Sequence, residues 1–421
     1  MTDPENYARV GAEEIAEPDA AEPQARRGRI EPWLSAVLQS EHLALLLGNG
    51  FTTAIAGLAQ TGAPSMGAEF PGEFADRIEA AANASAARLG RNETNIEDRV
   101  RAAIALIAGL TVLGEEDQAQ HCRDSLDMVL RELLSGVLAC ERGVDAAARD
   151  DAQDGEARRI LVSFLLTFAS RTASRERLNL FTTNYDRLVE YGCDLAGLRP
   201  LDRFVGALEP VYRASRLDVD MHYNPPGIRG EPRYLEGVLR LTKIHGSLDW
   251  RWQDDVLRRV SLPFGAADDH PAVPRQPGEG LMIYPNPAKD VETLEHPYAE
   301  LFRDFSAALC RPNSALVVYG YGFGDDHVNR VIADMLTIPS THLVVISYDW
   351  SAGRLRSFLD AYGRDAQVSL LVGPKLAGLK TLVRSYLPKP AIDTISLRRA
   401  ELLRRREAPH GSDVGEGEGQ L

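Results

Sequence analysis

Short apolar runs punctuate this chain, and between them apolar residues recur at helical spacing. Residues 43–47 read Leu-Ala-Leu-Leu-Leu without a polar break, and further runs occupy 178–181, 238–244, 281–284, 315–319, 343–347 and 368–372. Apolar stretches of this length fit strands buried on both faces of a parallel sheet. Ile96, Val100, Ile104 and Ile107 share one helical face; Leu126, Val129, Leu130, Leu133, Leu134 and Val137 make another. Ile160, Leu161, Phe164, Leu165 and Phe168 make a third. No strand pattern interrupts residues 67–172, so a helical subdomain is expected there, inserted after the first strand–loop–helix, with 141–156 as a charged connection. A further helix is expected to start near Glu31, with Pro32 in its first turn and Trp33, Leu34, Val37 and Leu38 as its apolar face. Strands alternating with helices predict an α/β fold: a doubly wound, mostly parallel sheet.

The rest of the chain is less regular. Residues 1–29 are polar and rich in Ala, Glu and Pro, which predicts a mobile acidic tail. Residues 199–236 are irregular, and 251–280 read as loop. Residues 396–407 form a basic helical candidate carrying Arg398, Arg399, Arg404, Arg405 and Arg406, ahead of a Gly/Glu-rich end of disordered character. The expected division is a tail at 1–29, one α/β domain at 30–390 and a basic helix with a tail at 391–421.

Composition narrows the function classes. With 44% hydrophobic and 26% charged residues among 421, the chain reads as globular. A net charge of −14 argues against direct nucleic-acid binding through the global field, though not against a small anion site. Cys122, Cys140, Cys193 and Cys310 include no C-x-x-C pair, which predicts reduced core thiols in a cytoplasmic protein rather than a metal or redox motif. No signal peptide is expected, and no apolar run approaches the roughly 20 residues of a membrane helix.

Candidate chemistry collects where strands end. Gly48-Asn49-Gly50-Phe51-Thr52-Thr53 follows the first strand and precedes an Ala-rich helix; it reads as a phosphate cradle or as a simple tight turn. Thr182-Thr183-Asn184-Tyr185-Asp186 follows the second, as a site or as a helix cap. His245, beside Gly246 and Ser247, is a general-base candidate. Gly320-Tyr321-Gly322-Phe323-Gly324-Asp325-Asp326 offers close backbone approach, with acids for ribose hydroxyls or for capping. Asn95-Ile96-Glu97-Asp98 reads as a cap with acids in the first turn, a role at the site mouth being the alternative; Lys289 reads as an exposed loop lysine, with contact to an anionic ligand as its alternative.

Taken in order, the Gly48–Thr52 loop, the Thr182–Asp186 cluster, Lys243-Ile244-His245-Gly246-Ser247 and Gly320–Asp325 resemble the sirtuin superfamily over residues 40–385. The likeness is closer to its bacterial sirtuin-like branch, whose members cleave NAD in antiphage defence. The resemblance implies a Rossmann-like fold, NAD as substrate, a homo-oligomer and a HerA-type hexameric ATPase as partner. By position it implies that Asn184 and His245 are catalytic and that Asp186 supports the nicotinamide pocket. Gly48, Asn49, Gly50 and Thr52 would lie against the phosphates, Thr183 beside the bound nucleotide, and Gly320, Phe323 and Asp325 near the adenosine half. The superfamily's protein deacylases hold zinc on four cysteines in paired spacing and carry Gln-Asn in the catalytic cluster; this chain lacks the paired cysteines and has Thr183-Asn184. Both departures favour NAD hydrolysis without zinc. An NAD-dependent deacylase and a catalytically silent NAD or ADP-ribose sensor are the competing readings.

Overall fold

The computed structural model describes residues 4–15, 23–65, 67–88, 94–149, 155–172, 174–214, 222–223, 233–253, 256–283 and 297–389. The basic candidate at 396–407 and Lys289 lie outside the described residues.

In chain order the first strands are β1 (Tyr7–Val10), β2 (Glu13–Glu14), β3 (His42–Leu47), β4 (Leu178–Thr182) and β5 (Arg199–Leu201). Then come β6 (Phe204–Val205), β7 (Val211–Tyr212), β8 (His222–Tyr223), β9 (Arg233–Tyr234), β10 (Val238–Lys243) and β11 (Gly246–Gln253). The last are β12 (Val256–Arg259), β13 (Leu281–Ile283), β14 (Ser314–Tyr319), β15 (His342–Ser347) and β16 (Val368–Val372). The main sheet runs β2-β1-β16-β15-β14-β3-β4-β10-β5, and from β16 to β5 every pairing is parallel. The fold is α/β with a large, mostly parallel central sheet and helices on its faces, a Rossmann-like arrangement.

Alternation along the strands explains the layers. Leu43, Leu45 and Leu47 of β3 enter the core on one face with Ala315, Val317 and Tyr319 of β14, while Ala44, Leu46, Leu316 and Val318 enter the core on the other. Both faces are covered by helices, which is why these strands read as unbroken apolar runs. The chain order reverses between β3 and β14. From β3 the sheet grows towards β4 and β10 on one side and from β14 towards β15 and β16 on the other. That reversal opens the crevice in which open α/β sheets bind ligands.

Several expectations are corrected. The N-terminal stretch is not all tail, because Tyr7–Val10 pairs antiparallel with β16 and extends the sheet. Helix α1 begins at Pro23 and runs to Leu38, so Pro32 is interior rather than in a first turn. Burial of Ile30 and Leu34 offsets the missing backbone bond. Residues 251–280 are not simply loop: β11 and β12 join β13, β7 and β6 in a second sheet of five strands.

Helices α2 (Asn49–Leu58), α3 (Ala75–Arg88), α4 (Ile96–Leu113), α5 (Glu116–Arg149) and α6 (Glu156–Ala169) precede β4, and α7 (Leu188–Ala196) follows it. α3 to α5 share a core that also takes in Tyr185 and Leu248. Glu141, expected in a solvated charged connection, is fully buried inside α5. Its Oε1 accepts from the backbone N–H and Nε of Arg187, and its Oε2 from Arg187 Nη2 and Gly265 N–H. No described helix is long and apolar enough to cross a membrane.

A buried pair is not itself strong stabilisation, but removing one partner strands the other charge. Glu141→Ala is therefore expected to lower the unfolding free energy by about 3–5 kcal/mol, measured by denaturant titration. A loss below about 1 kcal/mol, the range of exposed pairs, would show that Arg187 finds water or another partner.

Candidate active site

The parallel register sets the site. Lys243 of β10, Thr182 of β4, Leu47 of β3, Tyr319 of β14 and Ile346 of β15 stand in one row across the sheet. Asn184 and His245 each lie two residues beyond that row, on neighbouring strands. Together with Asn49, Gly50, Thr183, Asp186, Gly320 and Asp325 they line a single cavity of about 1110 Å³. Four strand spacings separate β10 from β15, roughly 19 Å, enough for an extended dinucleotide.

Asn184 is held on three sides. Its backbone N–H donates to Thr182 Oγ1 at 3.0 Å. Its Nδ2 donates to the Gly48 carbonyl at 3.0 Å and to Thr52 Oγ1 at 2.9 Å. A carbonyl can only accept, so the amide orientation is fixed and Oδ1 is the group left for a ligand. Thr52 is fully buried, and its hydroxyl donates in turn to Asp186 Oδ2. Asp186 Oδ1 accepts the Leu188 N–H at the start of α7. Thr52, expected against a phosphate, does not line the cavity; it positions Asn184 and Asp186.

His245 owes its place to a turn. The chain passes from β10 into β11 of the second sheet through Gly246, whose φ of +82° suits glycine. The imidazole is 6% exposed, with Nε2 at 2.8 Å from Asp325 Oδ2. A carboxylate only accepts, so Nε2 carries the hydrogen and Nδ1 is the basic nitrogen. Nδ1 is buried with no protein partner. Asp325 Oδ1 meanwhile caps the helix Asp326–Leu336 by accepting from the His327 and Val328 N–H groups. Asp325, expected near adenosine, thus orients the imidazole, as the acid of a Ser-His-Asp triad does.

The glycines also do something different. Gly48 N–H donates to the Tyr319 carbonyl and Gly50 N–H to the Gly320 carbonyl, at 3.1 and 2.8 Å, so neither is free for a phosphate. Gly320 has φ +64°, and a Cβ there would lie 2.7 Å from the Gly50 and Phe51 backbone. The glycines let the loops after β3 and β14 interlock at the topological reversal. Gly48 and Phe323 do not line the cavity; Phe323 packs its ring 5.1 Å from Tyr321 and 5.0 Å from Phe358. Asn49 is exposed on the cavity wall and is the member of this loop best placed to meet a ligand.

Two further groups reach the cavity, Glu97 from the Asn95–Asp98 stretch and Arg354, which the sequence did not single out. Glu97 lines the cavity and accepts the Tyr185 hydroxyl at 3.0 Å. Burial, with the Glu97 charge adding to it, pushes the Tyr185 phenol well above its usual range, so it stays a donor. Arg354, whose Nε donates to the Gly322 carbonyl at 2.7 Å, lines the far end with Ser347 and Asp349. The four cysteines are free thiols, and burial pushes Cys122 to about 11 and Cys140 to about 12, as inert core residues require. Among the described residues no group of three or more His, Cys, Asp or Glu is placed to hold a metal.

The chain is thus an α/β protein whose doubly wound sheet carries an acceptor amide and an oriented imidazole at its reversal, where open α/β sheets bind ligands. Residues 178–366, a little under half of the chain, match the SIR2-like domain family. A SIR2-like domain implies NAD binding and an NAD-dependent type of enzyme. A search of curated proteins returns no match. The matched span begins after the Gly48–Thr52 loop, yet the fold brings that loop against Asn184.

Asp325→Asn tests the orienting role. The Asn carbonyl would keep the cap, so its NH₂ would face Nε2 and move the ring hydrogen to Nδ1. Nitrogen-15 NMR of His245 is expected to show that tautomer in a folded protein. An unchanged tautomer would remove Asp325 from the site.

Proposed function

We propose that the protein hydrolyses NAD at the nicotinamide–ribose bond, releasing nicotinamide and ADP-ribose. The observation that carries this reading is the His245 imidazole, oriented by Asp325, with a buried unpartnered Nδ1 on a residue lining the same cavity as Asn184. NAD brings a cationic leaving group, so the protein has little acid catalysis to supply. Asn184 Oδ1 accepts a hydrogen bond from a ribose hydroxyl or from the attacking water. His245 Nδ1 takes the proton from that water or hydroxyl. The interlocked loops after β3 and β14 fix the geometry, which is where positioning contributes to rate.

The resemblance to bacterial sirtuin-like proteins extends the reading to antiphage defence, with self-association and a HerA-type ATPase partner. Effectors of that kind are silent until activated, so the assay is run on the chain alone and with partner and phage trigger supplied. Thr183 in place of a Gln beside Asn184, and no paired cysteines, favour water over an acyl-lysine as acceptor.

Loss of NAD and release of nicotinamide are measured for the wild type, Asn184→Ala and His245→Ala. Each variant is expected to lose about 10²–10⁴-fold in turnover while remaining folded. Wild-type turnover in either variant removes that residue's role. Nicotinamide release only with an acyl-lysine peptide would establish the deacylase, and tight NAD binding without turnover under all conditions the sensor.

A further inference from the structure

We propose that Glu97, carried by the first turn of α4, is a substrate-binding carboxylate that recognises the cationic nicotinamide–ribose end of NAD. The inference rests on the NAD reading above and deepens it.

The sequence supplies a reason to ask what Glu97 does. Asn95 and Asp98 already complete the capping box of α4: the Asn95 side chain accepts from the Asp98 N–H at 3.0 Å, and Asp98 Oδ2 accepts from the Asn95 N–H at 3.2 Å. Glu97 is therefore not needed as a cap. Its side chain reaches the cavity instead, where Oε1 accepts the Tyr185 hydroxyl. Oε2 makes no hydrogen bond or ion pair to the protein among the described residues.

Position assigns the end of the ligand. Tyr185 follows Asn184 directly, and its ring lies 6.4 Å from that of His245. Glu97 therefore belongs to the end of the cavity where Asn184 and the unpartnered His245 Nδ1 stand. Ser347, Asp349 and Arg354 belong to the other end, beyond β15. A carboxylate at the Asn184 end is attracted to the permanent charge of nicotinamide. It also faces the positive charge that develops on the sugar as the bond breaks, the arrangement in which fixed electrostatics contribute most. The neutral dihydronicotinamide of NADH and nicotinamide-free ADP-ribose offer it no such charge.

The test compares two probes that the protein does not turn over: carba-NAD, which keeps the cation, and ADP-ribose. Calorimetry is done on the full chain as wild type, Glu97→Gln and Glu97→Asp. Glu97→Gln keeps an acceptor for Tyr185 and loses only the charge. It is expected to weaken carba-NAD about tenfold, the equivalent of 1.4 kcal/mol, and to leave ADP-ribose within twofold. Glu97→Asp is expected to recover part of the loss. Equal weakening of both probes, or of neither, overturns the assignment while leaving the NAD reading intact. Failure of the wild type to bind either probe overturns the NAD reading, and the Glu97 assignment with it. Unchanged thermal unfolding of Glu97→Gln is the control for folding.

Discussion

Four consecutive residues just beyond β4 are clamped from several parts of the fold, and the cavity depends on that clamp. Asn184 is tied to the loop after β3 through the Gly48 carbonyl and the Thr52 hydroxyl. Tyr185 is tied to α4 through Glu97, Asp186 to Thr52 and α7, and Arg187 to α5 through Glu141. A polar stretch this buried would be costly if any of its groups went unmatched. Matching them through four elements means that the stretch can form only when the sheet, the helices before it and the helix after it are all in place.

The strands were legible because their burial on both faces leaves an unbroken apolar signature. Polar clusters directly after apolar runs marked the strand ends where Asn184 and His245 stand; the catalytic roles given to the two residues came from the resemblance. Other features were not, and each has a physical reason. β11 alternates, Ser247-Leu248-Asp249-Trp250-Arg251-Trp252, but Ser247, Asp249 and Arg251 are buried, so polar residues that read as the start of a loop belong to the interior. β1 is a strand of four residues in a polar context, set between the two-residue edge strand β2 and β16 from the opposite end of the chain. Glu141 looks solvated in a charged run until Arg187 is brought to it from 46 residues away. The partnership of His245 with Asp325 spans 80 residues, with β4 and β3 standing between their strands in the sheet, and no spacing rule reports it. The glycine loops misled in a more instructive way. A glycine needed for close approach reads the same whether the approaching group is a phosphate or another backbone.

Below the site lies a second layer of buried charge. Lys243 Nζ donates to the Asp186 carbonyl and to Glu190 Oε1, 3.1 Å away, while burial pushes the Glu190 carboxyl above its usual range despite that lysine. Lys243 is the last paired residue of β10, two before His245. The same short segment therefore fixes the Asp186 backbone from beneath and delivers the imidazole from the side. The relative positions of Asn184 and His245 are set twice: by the parallel ladder between β4 and β10, and by the lysine that bridges the loops leaving it.

This double fixing changes how the helices before β4 should be understood. They are not an appendage beside a finished cavity. Tyr185 lies in the core that α3, α4 and α5 build, and its hydroxyl ends at a carboxylate that α4 presents to the cavity. Arg187, two residues on, is locked to α5 on the other side of Asp186. Any rearrangement that slid these helices over the sheet would have to break a buried ion pair or drag Tyr185, and with Tyr185 the backbone of Asn184. The helical layer and the cavity edge therefore share one set of constraints, and a signal that reached the helices would be felt at the Asn184 amide.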